Sequence, residues 1–207
     1  MKNQNCRRIS LICFICAILC ISGFSTACKK EGQAETSDFL NFSDETTAAA
    51  QLVAEANEDL NKIKVLYKKN EDKREELVAA MKGSDSEKVR KIADDLVYLI
   101  NDGMALGESA IEKIEKAQAM NINPDFNEYL RLKSESLRKQ MDAFENYRQA
   151  ARFLRDGYNP KDDKQRENVK AEFTKRDENF HKTMEVARDY SKQASELAKQ
   201  SLKKSEK

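Results

Sequence analysis

Residues 84–110 have the sequence SDSEKVRKIADDLVYLINDGMALGESA. Apolar and small residues recur in this stretch at alternating spacings of three and four, which is the period of one face of an α-helix. The positions of this stripe are Val89, Ile92, Leu96, Leu99, Gly103, Leu106 and Ala110. A helix with a single narrow apolar stripe must bury it against other helices. The stretch therefore predicts a bundle of long helices.

The composition of the whole chain agrees with this prediction. Only six glycines and two prolines occur in 207 residues, and charged residues make up 35% of the chain. Ala, Glu, Lys, Leu and Arg are abundant, as in long helices. No alternating run rich in Val, Ile or Thr is found, so no β-sheet is expected. We predict an all-α fold.

Turn and capping residues divide the chain into four helices. Gly83 is suited to end the first helix, and Ser84 with Glu87 forms a Ser-x-x-Glu capping box for the second. Asparagine followed by proline, a typical helix start, occurs at residues 123–124 and again at residues 159–160. The predicted helices cover residues of about 44–82, 85–120, 124–156 and 160–202.

Short connections between the helices predict their arrangement. Turns of a few residues make neighbouring helices antiparallel. We therefore expect residues 44–207 to form one domain, an antiparallel up-down-up-down four-helix bundle with coiled-coil-like packing. Two long hairpins that merge only in part, or a swapped dimer, are the alternatives. In the four-helix bundle the first and third turns lie at the end away from its N-terminus.

The N-terminal region has the features of an export signal. The first eight residues contain three cations and no anion, residues 9–24 are mostly apolar, and residues 25–27 are small. This order of charge, apolar run and small residues is typical of a secretory signal peptide. All five cysteines lie within the first 28 residues.

The sequence Ser-Thr-Ala-Cys at residues 25–28 resembles the lipobox of bacterial lipoprotein precursors. The resemblance implies that residues 1–27 are removed and that Cys28 carries the lipid, with residues 28–43 as anchor and flexible tether. It also implies a membrane partner and a bacterial cell-envelope location, with the body in the periplasm or on the outer surface. The alternative is an uncleaved membrane-spanning segment at residues 9–27.

Charge argues against a nucleic-acid partner. Removal of residues 1–27 takes away three cations and no anion, which leaves 34 basic and 36 acidic residues. Both signs are interleaved along the chain, whereas nucleic-acid binding needs a concentrated basic face.

A polar interval in the first helix is a candidate partner surface. Residues 68–76, which include Lys73 and Arg74, contain no apolar side chain, while Tyr147 and other apolar residues are expected at the same level. The interval predicts either a groove for a partner or a region where Lys and Arg stems cover the core. Tyr158 in the third turn would meet a partner first, unless it folds back against its own helix.

Two glycines lie four residues apart inside the second predicted helix. Gly103 and Gly107 each weaken a helix by about 1 kcal/mol relative to alanine, so a compensating feature is expected. Close packing is one explanation, with Phe180 or Met184 of the fourth helix filling the hollow. A small cavity for an apolar ligand near His181 is the other.

The spacing Glu178-x-x-His181 is that of di-iron helical bundles, but such a site needs a second histidine and the chain has only one. A reduced metal site with Glu108 and a solvated boundary histidine are the two remaining interpretations. No cysteine remains after residue 28, and no Gly-x-Ser-x-Gly motif presents a serine nucleophile. We expect no catalytic residue, bound metal or cofactor.

The sequence thus predicts a membrane-anchored, non-enzymatic interaction or scaffold module of the cell envelope, which binds another envelope protein. The alternative is a carrier of a small apolar ligand or metal in the bundle interior. A homo-oligomer is compatible with both. The candidate site residues are the lipid-bearing Cys28 and a partner surface formed by Lys73, Arg74, Tyr147 and Tyr158.

Overall fold

A computed structural model describes residues 44–205 of the chain. These residues form four α-helices and no β-strand: α1 (Asp44–Lys82), α2 (Ser86–Gln118), α3 (Pro124–Gly157) and α4 (Asp163–Ser205). The four helices pack against one another, which confirms the predicted all-α fold. None of them has the length and apolar character that crossing a bilayer requires. Cys28, the signal peptide and the tether lie outside the described residues.

Each helix lies beside the next one along the chain. Cα atoms approach within 8 Å between α1 and α2, between α2 and α3, and between α3 and α4. In every pair, residue numbers fall along one helix as they rise along the other. The side-chain contacts that show this are Asp59–Ser109 and Lys73–Asp95, then Glu115–Arg138 and Asp94–Arg155, then Asp125–Ser201 and Ser136–Ala187.

The first and last helices are further apart. Among the described residues, no Cα atom of α1 lies within 8 Å of a Cα atom of α4. The two helices meet through side chains instead. Arg74 Nη2 lies 3.8 Å from Asp177 Oδ1, and Val169 of α4 belongs to the same apolar cluster as Leu77 and Ala80 of α1. The seam between α1 and α4 is therefore wider than the seams between consecutive helices.

The turn between α1 and α2 corrects one prediction. Asp85, not Ser84, caps α2, because its carboxylate accepts a hydrogen bond from the N–H of Lys88 at 3.0 Å. Ser84 has a positive φ of 55°. Its N–H donates to the carbonyl of Met81 at 3.3 Å, and the N–H of Asp85 donates to the carbonyl of Ala80 at 3.1 Å. This is the pattern of a Schellman motif. Ser84, rather than the predicted Gly83, is thus the left-handed residue that ends α1, and the next residue caps α2.

The start of α3 is as predicted. The side-chain oxygen of Asn123 accepts a hydrogen bond from the N–H of Asp125 at 2.8 Å, and Pro124 occupies the first turn. Proline suits this position because its missing N–H would have no partner inside the helix.

The start of α4 is three residues later than predicted, at Asp163 rather than Pro160. The side-chain oxygen of Asn159 accepts a hydrogen bond from the N–H two residues further on at 3.0 Å, so it closes a turn around the proline instead of capping a helix. Asp162 takes over the capping role, because its carboxylate accepts the N–H of Gln165 at 2.9 Å.

All four helices contribute to one apolar cluster at the end that carries the α1–α2 and α3–α4 turns, called the distal end below. Its buried members are Leu77, Ala80, Val89, Ile92, Ala93, Leu96, Val97, Ala151, Leu154, Tyr158 and Val169. Met81 and Phe173 are partly buried and pack against this cluster. The distal end therefore joins α1 to α4 although the two helices are separated along most of the seam.

Candidate functional site

The two cations predicted to form a partner surface contact neighbouring helices. Lys73 Nζ donates a hydrogen bond to Asp95 Oδ2 at 3.1 Å, and this bond raises the pKa of Lys73. Arg74 forms an ion pair with Asp177 across the seam between α1 and α4. The polar interval at residues 68–76 therefore carries side chains that connect α1 to the rest of the bundle.

The two tyrosines of the predicted partner surface are buried, which corrects the expectation that Tyr158 is presented to a partner. The Tyr158 side chain is 0% exposed, and its backbone N–H donates to the carbonyl of Leu154 at 3.2 Å, so the residue folds back against α3. Tyr147 packs against Phe173 and Phe180, with ring centroids 6.5 and 5.5 Å away. Both tyrosines therefore belong to the core and offer no surface to a partner.

The Tyr147 hydroxyl is buried without a hydrogen-bond partner. Burial raises the pKa of Tyr147 to about 12 because the charged form would lose its hydration. Leu96, which lies in the same half of the bundle, is also fully buried. The apolar residues behind the polar interval are thus covered and leave no open groove floor at Leu96 or Tyr147.

The two glycines of α2 have different surroundings. A Cβ atom at Gly107 would lie 2.2 Å from Met141 Sδ, so Met141 of α3 fills the hollow. The sequence had assigned this role to Phe180 or Met184 of α4, which is wrong. A Cβ atom at Gly103 would meet nothing within 4 Å. The cavity beside Gly103 has a volume of only about 20 Å³, which is enough for about one water molecule.

His181 lies beside a carboxylate and an aromatic ring. Its Nε2 lies 3.7 Å from Asp177 Oδ2, and its ring meets Phe180 edge-on at 5.2 Å. Glu178 and Glu108 are both exposed. Burial lowers the pKa of His181, and the nearby Asp177 carboxylate opposes this change. Within residues 44–205 no three His, Cys, Asp or Glu side chains are grouped so that they could hold a metal ion.

A buried carboxylate joins α1 to α2. Asp59 is only 5% exposed and accepts hydrogen bonds from Ser109 at 2.9 Å, from Lys62 at 3.2 Å and from Lys113. The hydrogen bond from Lys113 is the largest cause that lowers the pKa of Asp59 to about 2, and burial opposes it. Because three donors already surround this carboxylate, we interpret it as a structural link between two helices.

A larger cavity lies at the distal end, between the end of α1 and the first turns of α4. Its volume is about 420 Å³, and it is open to solvent. Its walls combine apolar side chains from both helices with three cations and a hydroxyl: Val78, Met81 and Phe173, then Lys82, Arg166 and Lys170, then Ser84. We call this site the distal cavity. It is the candidate functional site of the described chain.

Ion pairs hold two of the three cations in place. Arg166 Nη2 lies 2.9 Å from Asp163, and its Nη1 donates a hydrogen bond to the carbonyl of Pro160 at 3.2 Å. Lys170 Nζ lies 3.3 Å from Glu167. Asp163 and Glu167 are 85% and 66% exposed, and neither lines the distal cavity. The cavity wall itself therefore contains cations and no anion.

Sequence reasoning missed the distal cavity, although it placed the first and third turns at one end of the bundle. The available signal was the pairing of an apolar residue with a neighbouring cation, as in Met81–Lys82 at the end of α1. That signal is weak, because the same pairing occurs on many exposed helices. Whether the two segments leave a space depends on the separation of α1 and α4.

The chain matches no protein-family model, and no similar curated protein or solved structure was found. Function must therefore be argued from the N-terminal sequence and from the chemistry of the described residues.

Proposed function

We propose that the chain is a lipid-anchored, non-enzymatic interaction or scaffold module of a bacterial cell envelope. Cys28 carries the anchor, residues 28–43 form the tether, and the helical body faces the periplasm or the outer surface. Another envelope protein is the expected partner. The order of charge, apolar run and Ser-Thr-Ala-Cys in the first 28 residues supports the anchor.

The packing of Met141 against Gly107 is the main observation that favours an interaction module over a ligand carrier. A carrier of the proposed kind needs space in the interior near Gly103, Gly107 and His181. Met141 fills the hollow at Gly107, and the cavity beside Gly103 has a volume of only about 20 Å³. Ligand pockets usually measure ~300 Å³ or more. The interior therefore favours an interaction at the surface.

We further propose that the four helices form an up-down-up-down bundle with coiled-coil-like packing. The falling order of partner residues between consecutive helices supports this topology. The turns between the helices are short enough for antiparallel neighbours. At ~1.5 Å per residue, a helix of 39 residues is about 58 Å long.

The anchor is tested by mass spectrometry of the N-terminal peptide from cells that process lipoproteins. We expect a peptide that begins at Cys28 with acyl chains attached, and a protein that fractionates with membranes. The Cys28→Ser variant should lose both properties, whereas Cys20→Ser should keep them. A wild-type chain that retains residues 1–27 without acylation would exclude the anchor and leave the membrane-spanning alternative.

Two measurements distinguish an interaction module from a ligand carrier. They are native mass spectrometry and an absorbance scan, both made on the mature chain after its release from membranes in detergent. A module should give the mass of the acylated chain, or a simple multiple of it, with no chromophore. A co-purified ligand that is lost in a Gly103→Leu variant would instead favour the carrier.

A further inference from the structure

We propose that the distal cavity binds a small organic anion with an apolar body, such as an aryl or short acyl carboxylate. This binding would occur at the end of the bundle opposite residue 44. It does not depend on the proposed anchor or on a protein partner.

The apolar part of such a ligand has a matching surface. Met81 and Phe173 pack against the distal apolar cluster, so the floor of the cavity rests on a fixed core. Val78 is 45% exposed at the same place. A ligand that covers these three side chains would remove apolar surface from water, which is favourable in proportion to the area covered.

The charged part of the ligand is specified by the cations. Lys82, Arg166 and Lys170 line the cavity from both sides of the seam, and no carboxylate lines it. A carboxylate in the cavity would be attracted by all three cations.

The size of the cavity favours a small molecule over a helix. Its volume of about 420 Å³ falls within the range of ~300–1,000 Å³ that is usual for ligand pockets. An α-helix with its side chains is ~10–12 Å wide and needs an extended groove. The floor here consists of three apolar side chains, which suits an aryl group or a short acyl chain.

Photo-crosslinking with benzophenone-4-carboxylate tests the proposal on the full chain. On irradiation the ketone abstracts a hydrogen atom from a neighbouring C–H group, and the two carbon radicals then combine, so no further reagent is needed. Tryptic peptides 75–82 and 171–175 contain the cavity floor, and we expect the label on Met81 or Phe173. An excess of 4-phenylbutyrate should displace it.

Charge dependence separates binding in the cavity from nonspecific labelling. The Lys82→Gln/Lys170→Gln variant should lower labelling of these residues at least about threefold. Lys192→Gln, an exposed position on α4, is the matched control and should label like the wild-type chain. The variants should have the wild-type far-UV circular dichroism, because the lysines are on the surface.

Four results would overturn the proposal. One is equal labelling by the uncharged benzophenone-4-carboxamide, and another is labelling that 4-phenylbutyrate does not reduce. The third is labelling that avoids Val78, Met81 and Phe173 alike, and the fourth is labelling that persists unchanged in the double lysine variant.

Discussion

The Tyr158 hydroxyl donates a hydrogen bond to the backbone carbonyl of Met81 at 3.1 Å. The bond joins the end of α3 to the last turn of α1, across 77 residues of sequence. The same carbonyl also accepts the N–H of Ser84 in the turn that ends α1. A fully buried ring and one hydrogen bond thus fasten the two ends together at the distal core.

Removal of the Tyr158 hydroxyl should therefore destabilise the fold slightly, and removal of the ring should destabilise it strongly. We expect Tyr158→Phe to cost about 1 kcal/mol of unfolding free energy and Tyr158→Ala about 3–5 kcal/mol. Urea denaturation followed by circular dichroism measures both. Tyr98 is 62% exposed, so Tyr98→Ala should change stability by less than ~1 kcal/mol. Equal losses for the two alanine variants would show that Tyr158 is not buried.

Tyr147→Phe should change the free energy of unfolding in the opposite direction from Tyr158→Phe. The Tyr147 hydroxyl is buried without a hydrogen-bond partner, and an unsatisfied buried polar group costs ~1–3 kcal/mol. The substitution removes this group and keeps the ring contacts with Phe173 and Phe180. We expect the free energy of unfolding to increase by about 1 kcal/mol in the same urea titration. A loss of stability would mean that the hydroxyl has a partner.

Alanine substitutions at the two glycines of α2 should also change the stability of the fold in opposite directions. Gly103→Ala places its methyl group in open space and gains helix propensity, so we expect stabilisation by about 1 kcal/mol. Gly107→Ala places a methyl group against Met141 and should destabilise the fold by about 1 kcal/mol or more.

The double variant Gly107→Ala/Met141→Ala identifies the cause of this loss. If the clash with Met141 is responsible, the two substitutions together should cost less than the sum of their separate effects. Additive costs, or equal effects of alanine at Gly103 and Gly107, would contradict the assigned packing.

Asp59 should make stability depend on pH at the acidic end. Its pKa in the folded chain, about 2, is below the unfolded value of ~3.9. The unfolded state therefore binds the proton first as pH falls. The stabilisation from Asp59 is complete above about pH 4 and is lost as the pH falls towards 2, by up to about 2 kcal/mol.

The Asp59→Asn variant should lack this component of the pH dependence. Urea denaturation at several pH values between about 5 and 2 measures the difference between the two chains. Glu58→Gln, a neighbouring exposed position on α1, serves as the control and should follow the wild-type curve. Parallel curves for the wild type and Asp59→Asn would show that Asp59 is not held by Lys113 and Ser109.

Much of the helical pattern follows from local sequence. The bounds of α1 and the cap at Asn123 depend on residues within a few positions of one another, and both were predicted correctly. The predicted apolar stripe of α2 is confirmed at five of its seven positions, whereas Leu99 and Leu106 are only half-buried. The predicted capping residues of α2 and α4 were wrong by one to three positions, because each turn contains two residues that could cap the helix. Asp85 caps α2 because the Schellman motif already uses Ser84, and Asp162 caps α4 because the Asn159 side chain closes a turn.

The candidate site could not be predicted in the same way. The sequence identified four polar or aromatic residues as a possible partner surface: Lys73, Arg74, Tyr147 and Tyr158. It could not tell which of them would be buried, because burial depends on the rotation of each helix and on its distance from residues far along the chain. The distal cavity likewise depends on a separation between α1 and α4 that no local pattern encodes.

The sequence by itself determined that the described part of the chain is four long helices, because helix propensity, caps and apolar period act over a few residues. Only the tertiary structure decided that Tyr158 is core, that Met141 fills the hollow at Gly107, and that α1 and α4 leave a cationic cavity. These features arise from packing between residues that are 34 to 95 positions apart. Packing of this kind is decided by the shape and volume of all four helices together.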